Sequence, residues 1–330
     1  MDPIVYLLPH TDKEVLITTK KFQFDYNPSP RLIKYGYSSF DDQLNIHNLT
    51  ENSYYRVGLN IDFTRDDDNS FAVQGKKFFK INTINQTFAE IWEILNLFNL
   101  LDDESIISSN ISEIKQLVKL HDKKHHIVEG TKANNLIIHK YSDVELEENA
   151  LVQLLIDDLP NFLSSQNTKG NMVIQIFGIQ TQTMVEIIYY LSTLYTEAYI
   201  VKPSVSSNIS NNKYLVLIGY HKKVKFEVPK HPKSSYLISI GVDDIPNLIT
   251  TSIQCFNSQT QSLKYHSYYR IKSYLDTKVY EGASYQELIE LQNDNIQKWL
   301  TIYSNPTDMK KLLDKNILDS QNRCKHFIEL

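Results

Sequence analysis

The polar positions best placed to do chemistry are Gln175, inside the apolar run MVIQIF, Lys202, before Pro203 at the end of AYIVKP, and Ser207 and Asn212, in the polar stretch ahead of KYLVLIGY. Activating a hydroxyl for group transfer needs a base. A lysine whose pKa is lowered by burial, oriented by a carboxylate, can serve. Gln175 and Asn212 cannot take up a proton near neutral pH, because a side-chain amide only donates and accepts hydrogen bonds. Lysines that could act from elsewhere are Lys34, Lys169 and Lys202. Unless one of them does, the pattern keeps polar geometry and lacks proton chemistry, so binding is expected before catalysis.

Asp143 closes NNLIIHKYSD just ahead of ELEENALVQLL, and a carboxylate there is expected to cap the helix that follows. His121, His125 and His126, with Asp122, have i, i+4, i+5 spacing on a lysine-rich turn; a solvated loop is expected rather than a metal site. The basic run HKKVKFEVPKHPK, 221–233, interleaves Phe226 with charge and could touch RNA phosphate, but a solvated edge strand is the simpler expectation. Cys255 and Cys324 have no His or Asp pattern beside them. A nucleotide-type cofactor needs a strand followed by a glycine-rich turn, so that backbone can approach it without a Cβ clash. Ahead of Asp143 the glycines are Gly36, Gly58, Gly75 and Gly130, none at G-x-G spacing, and RVGLNIDFT lacks a second glycine. No cofactor site is expected, and no P-loop, nucleophile elbow or zinc motif occurs.

The elements that must position these residues follow from periodicity. Strands are predicted at about 171–177, 198–201 and 213–220, flanking a helix at about 181–195. Upstream, FAEIWEILNLFNLL has helical spacing with Thr87 as N-cap, a second helical stretch runs from about Ser112 to Leu120, NNLIIHKYSD reads as a strand, and ENALVQLLIDDLPNFL reads as a helix. Alternating strands and helices predict an α/β sheet with helices on both faces. Residues 1–75 alternate short apolar runs (Ile4–Leu8, Val15–Thr18, Tyr54–Phe63) with turn material, which reads as β-rich or irregular. After Pro229, YLISIGV reads as a strand, and the remainder as amphipathic helices.

The 330 residues carry a net charge of −5, which gives no reason to expect indiscriminate binding to nucleic acid or membrane. No apolar run reaches membrane-spanning length, and MDPIVYLLPH lacks the charged and apolar regions of a signal peptide. Two cysteines cannot build a disulfide framework and fit a reducing cytoplasm.

The run from Gly170 to Tyr220 resembles the end of FtsJ-type 2'-O-methyltransferases, whose pattern is roughly GG-x-fV-x-K-x-f, a helix, then KP-x-x-SR-x-x-x-x-E-x-Y-x-V. In those enzymes the Lys and the Glu do the chemistry. The matching positions here are Gln175 and Asn212, and Ser207 stands where Arg is usual. The whole chain resembles the small, stimulatory subunit of the poxvirus-type mRNA-capping enzyme, on LLP at 7–9, SPRLIKYGYSSF at 29–40, AEIWEILNL at 89–97, NNLIIHKYSD and MVIQIF. The fold implied is a Rossmann-like methyltransferase sheet with helices on both faces and a degenerate cofactor region, plus a helical C-terminal section. On that reading 1–80 is an N-terminal β-rich extension, 81–235 the methyltransferase-like core and 236–330 the helical section packed on it. The implied function is regulatory. The chain would bind the large capping subunit, whose activities are triphosphatase, guanylyltransferase and cap guanine-N7 methyltransferase, and stimulate N7 methylation without catalysis or cofactor of its own. Viral RNA polymerase and RNA are further implied contacts, and the host cytoplasm and the virion the implied locations. Heavy use of Asn, Ile, Lys and Tyr fits AT-rich coding such as that of some large DNA viruses. Two alternatives stay open: a cap 2'-O-methyltransferase with a displaced catalytic lysine, and a non-enzymatic RNA-binding or virion protein.

Overall fold

The computed structural model describes residues 2–9, 22–29, 49, 52–101, 106–121, 126–128, 134–221, 224–232, 234–242, 244–304 and 309–329. The strands are β1 (Ile4–Leu7), β2 (Asp25–Asn27), β3 (Ile106–Ser109), β4 (His126–Val128), β5 (Asn134–His139), β6 (Gln166–Ile176), β7 (Tyr195–Lys202), β8 (Lys213–Tyr220) and β9 (Tyr236–Ser239). The helices are α1 (Phe71–Phe79), α2 (Gln86–Leu97), α3 (Ile114–Leu120), α4 (Glu148–Ser165), α5 (Gln182–Ser192), α6 (Asn247–Asp276), α7 (Ala283–Ser304) and α8 (Met309–Glu329).

A 7-stranded mixed sheet in the order β1-β7-β8-β6-β5-β3-β4 carries the fold. β4, β3, β5 and β6 run parallel. β8 lies antiparallel between β6 and β7, and β1 is antiparallel to β7. Strand alternation sorts side chains between two cores. Met172, Ile174, Leu215, Leu217 and Ile200 face one core with α4, α5 and the start of α6. Val173, Tyr214, Val216, Tyr199 and Val201 face the other with α2, α3 and α7. Helices therefore cover both faces, as the alternation of elements predicts.

Local chemistry sets the helix ends. α2 is capped by Asn85, whose side chain accepts from Phe88 N, and not by Thr87, which lies one residue inside the helix. Thr87 turns instead toward Lys140 and Asp143. α5 is capped by Thr181, accepting from Met184 N at 3.2 Å, and its residues from Thr183 to Ser192 are all buried. A helix apolar on every side has to lie between layers, and α5 does, between the sheet and β9.

In the first 80 residues the structure differs from the β-rich expectation. β1 is an edge strand of the main sheet, Ser53–Gly58, within the short apolar run Tyr54–Phe63, is a 3-10 helix, and Phe71–Phe79 is α-helical. Val15–Thr18 lies outside the described residues. β9 pairs with β2 in a separate 2-stranded sheet. α8 runs along β1, and the Ser320 hydroxyl donates to the Val5 carbonyl at 2.6 Å, covering part of a sheet edge that would otherwise offer free acceptors. No helix among the described residues is long and apolar enough to cross a membrane.

Candidate functional site

β5, β6 and β7 finish at the same end of the sheet, where β8 begins. Open α/β sheets bind their ligands outside the carboxyl ends of such strands. Antiparallel pairing sets Gln175 opposite Tyr214 and Ile176 opposite Lys213, which brings Asn212 alongside. Gln175 is 0% exposed, and its Nε2 donates to Asn212 Oδ1 at 3.4 Å and to Ser142 O at 3.0 Å. Its Oε1 accepts from Tyr141 N at 2.9 Å and Ser142 N at 3.1 Å. The two positions singled out by the resemblance thus touch. The Gln175 amide ties the segment after β5 to the start of β8.

Lys202 Nζ donates to Ser207 O at 3.0 Å and Ser210 O at 2.8 Å, so the ammonium pins the loop between β7 and β8 from beneath. Burial, together with the neighbouring Lys213 charge, brings its pKa down to about 7, against an opposing pull from Glu90. Lys213 Nζ donates to Phe177 O at 2.7 Å and Asn211 O at 3.4 Å; burial, then Lys264, lowers it to about 8. Ser207 contributes its carbonyl to Lys202 and its hydroxyl as acceptor for Ile209 N at 3.4 Å.

The same loop is held from α2. Glu93 is fully buried and accepts from Ser204 N at 2.6 Å, Ser204 Oγ at 2.8 Å, Val205 N at 3.2 Å and Trp299 Nε1 at 2.7 Å. Burial raises its pKa to about 7 although the Trp299 and Ser204 donors pull the other way. Glu90 accepts from the Ser206 hydroxyl and from Tyr214 OH at 2.7 Å. Asn60 adds Nδ2 bonds to Ser206 O at 3.1 Å and Asn208 Oδ1 at 2.7 Å. Carboxylates, a lysine and an amide together fasten one loop across the mouth of the sheet. Neither glutamate was singled out from sequence. The available signal was acid at i and i+3 within AEIWEIL, where the neighbours are apolar and exposure is excluded.

Replacing Gln175 by Leu keeps the volume but leaves Tyr141 N, Ser142 N and Ser142 O without their partner. We expect a loss of about 2–4 kcal/mol in urea unfolding; a loss below about 1 kcal/mol would mean that water replaces the amide.

Asp143 does not cap the following helix. It is exposed and paired with Lys140, whose hydrogen bond and charge hold its carboxyl below the usual range. α4 begins five residues later behind Glu147, which makes no side-chain cap bond. Glu148, the first residue of α4, instead holds the turn that leads into α5, accepting from Gln180 N at 2.9 Å, Thr181 N at 2.7 Å and Thr181 Oγ1 at 2.7 Å. Its carboxylate crosses Gly178 so closely that a Cβ there would sit 2.4 Å from Oε2.

Lys169 is exposed at the opposite end of β6 from Gln175, on the order of 20 Å away along the strand, so it cannot serve this end of the sheet. Lys34 lies outside the described residues. His121 is half-buried with its ring 4.7 Å from Trp92, which corrects the solvated-loop expectation; Asp122, His125 and the His126 side chain lie outside the described residues. Among the described residues no three His, Cys, Asp or Glu side chains are placed to hold a metal. The described part of 221–233 forms no edge strand, because Phe226 is drawn into an aromatic cluster, 4.9 Å from Phe22 and 5.5 Å from Tyr190.

No protein-family model matches the chain. It is 42% identical over 344 aligned positions to the uncharacterised protein R383 of Acanthamoeba polyphaga mimivirus, an alignment spanning 100% of this chain and 99% of that protein. The chain therefore belongs to the same protein family as mimivirus R383.

Proposed function

We propose that this chain is the non-catalytic, regulatory subunit of a viral mRNA-capping enzyme, built on a Rossmann-like methyltransferase sheet whose catalytic end has become structural. It binds the cap guanine-N7 methyltransferase domain of a large subunit and stimulates it. The observation that carries this reading is the contact between Gln175 and Asn212. They are the positions where FtsJ-type enzymes hold Lys and Glu, and here they are an amide pair turned onto their own chain. Further support comes from β8, which returns antiparallel beside β6, matching the strand–helix–strand–loop–strand order of the resemblance. A viral relative fits work in the host cytoplasm, with the virion as a second location.

A partner that makes no chemical contribution raises activity only by binding the competent conformation of the methyltransferase more tightly than the others. A coupling of about 2–3 kcal/mol gives roughly 30–150-fold stimulation. Co-expression with the large capping subunit of the same genome, followed by pulldown and a cap N7-methylation assay, tests this. A stable complex with stimulation in that range is the expected result. No complex, together with S-adenosylmethionine binding by the isolated chain, would overturn it in favour of an active 2'-O-methyltransferase. That second reading draws on Lys202, whose pKa near 7 suits a base. Against it, Lys202 is 3% exposed and its ammonium is already spent on Ser207 O and Ser210 O.

A further inference from the structure

The 30 residues of α6 include a single acid, Asp276, at the last position, in a chain whose net charge is −5. Its second half carries Lys264, Arg270 and Lys272. Tyr265 and Tyr269, one turn apart, hold their rings nearly parallel, with 17° between planes and 6.5 Å between centroids. Tyr269 is 56% exposed, so much of its ring meets solvent. Lys264 Nζ donates to Asn211 Oδ1 at 3.3 Å, and the Arg270 guanidinium to Gly58 O at 3.1 Å. Both acceptors are neutral, so neither bond cancels a charge. Lys213 also reaches Asn211, through its carbonyl, which carries the positive field on into the mouth of the sheet. Acid bounds the stretch at its ends, where Asp276 pairs with Lys272 at 2.8 Å and Glu145 accepts from the Asn211 amide.

We propose that this stretch of α6 is a binding surface for single-stranded nucleic acid, with unpaired bases stacked on Tyr269 and Tyr265 and phosphates met by Lys264, Arg270 and Lys272. An exposed ring between cations is the combination such binding needs: the ring holds a base by its face, whichever base it is, and the cations follow the backbone. A duplex keeps its base faces covered and cannot use the rings. The cores of protein interfaces are depleted in lysine, whereas here lysines stand on either side of the tyrosines. A membrane-bound helix needs a continuous apolar face, and the exposed residues beside Tyr269 are Ser262, His266 and Ser273. From Lys264 to Lys272 the helix rises about 12 Å, the length of about three stacked nucleotides. Contact is therefore short, and the acidic remainder of the chain confines it to this helix.

The test is fluorescence anisotropy of the full chain with labelled oligo-uridine, oligo-thymidine and a duplex of the same length, in low and moderate salt. Binding to either single strand in preference to the duplex is expected, and the two single-strand arms tell an RNA ligand from a DNA one. Three phosphate contacts, each contributing about 0.7 to the salt slope, should weaken binding roughly 10–20-fold between 50 and 200 mM salt. Lys272→Gln should lower that slope by about 0.7. Tyr269→Ala should weaken binding by roughly 5–150-fold, while Tyr269→Phe, which keeps the ring, should bind as the unsubstituted chain does. Because Tyr269 is exposed, circular dichroism melts of both variants should match the parent. No single-strand binding at 50 mM salt, equal affinity for the duplex, or binding that Tyr269→Ala leaves unchanged would each overturn the proposal. Loss of a protein partner from Tyr269→Ala with nucleic-acid affinity intact would overturn it too, in favour of a protein interface.

Discussion

Glu93→Ala is expected to destabilise the protein by about 3–5 kcal/mol and to release the loop after β7 from the mouth of the sheet. Glu93 is the common acceptor for two backbone N–H groups, a serine hydroxyl and the Trp299 indole. Removing it strands these donors in a buried site, at about 1–3 kcal/mol each where water cannot follow, with entering water offsetting part of the total. Trp299→Phe takes away one donor and keeps the ring, so it should cost roughly 1 kcal/mol beyond the volume change. Urea unfolding gives both numbers, and hydrogen exchange at Ser204 and Val205 reports whether the loop lets go. Equal losses from the two variants would mean that Glu93 acts as packing volume and not as the loop's anchor.

The second large effect is in pH. Glu93 is raised from 4.5 to about 7, so the stability it contributes is fully present below pH 4.5 and is lost as the pH rises through 7. Lys202 is lowered from 10.5 to about 7, so its contribution is fully present above pH 10.5 and is lost as the pH falls through 7. Lys213, lowered to about 8, has the same sign as Lys202. The losses overlap near neutrality, and stability between pH 5 and 9.5 should pass through a floor near pH 7. Fully expressed, the shifts amount to about 3 kcal/mol for Glu93 and about 5 kcal/mol for Lys202, as upper bounds. His139, held below its ordinary value by burial, works against the acid limb. Denaturant melts across this range check the shape. Lys202→Met should lower stability overall, because Ser207 O and Ser210 O lose their donor, yet flatten the alkaline limb. An unchanged alkaline slope would show that Lys202 stays charged when folded.

The site was legible where local signals coincide. MVIQIF and KYLVLIGY are short, nearly continuous apolar runs, as strands buried on both faces must be, and Lys202-Pro203 fixes the chain between them, so Gln175 and Asn212 could be matched before their contact was known. The pairing of β1 with β7 could not be foreseen. Its contacts join residues near 5 to residues near 200, and four apolar residues carry no address for a distant partner. The acids were misjudged for a related reason. Asp143 was assigned the cap of α4 because it stands just ahead of that helix, and it pairs with Lys140 instead, while Glu90 and Glu93 were overlooked because composition marks Glu as a surface residue and their helix is buried on every side.

The edge strand near residue 5 and the helix that covers it, beyond residue 309, are separated by nearly the whole chain. During synthesis on the ribosome the sheet can assemble as far as β8 while the lid over β1 does not yet exist. Until α8 emerges, an apolar edge strand with the Val5 carbonyl unpaired stands open to any other nascent chain. Slow or interrupted translation of the last helix would therefore expose this protein to aggregation, and chaperone demand should concentrate in that interval.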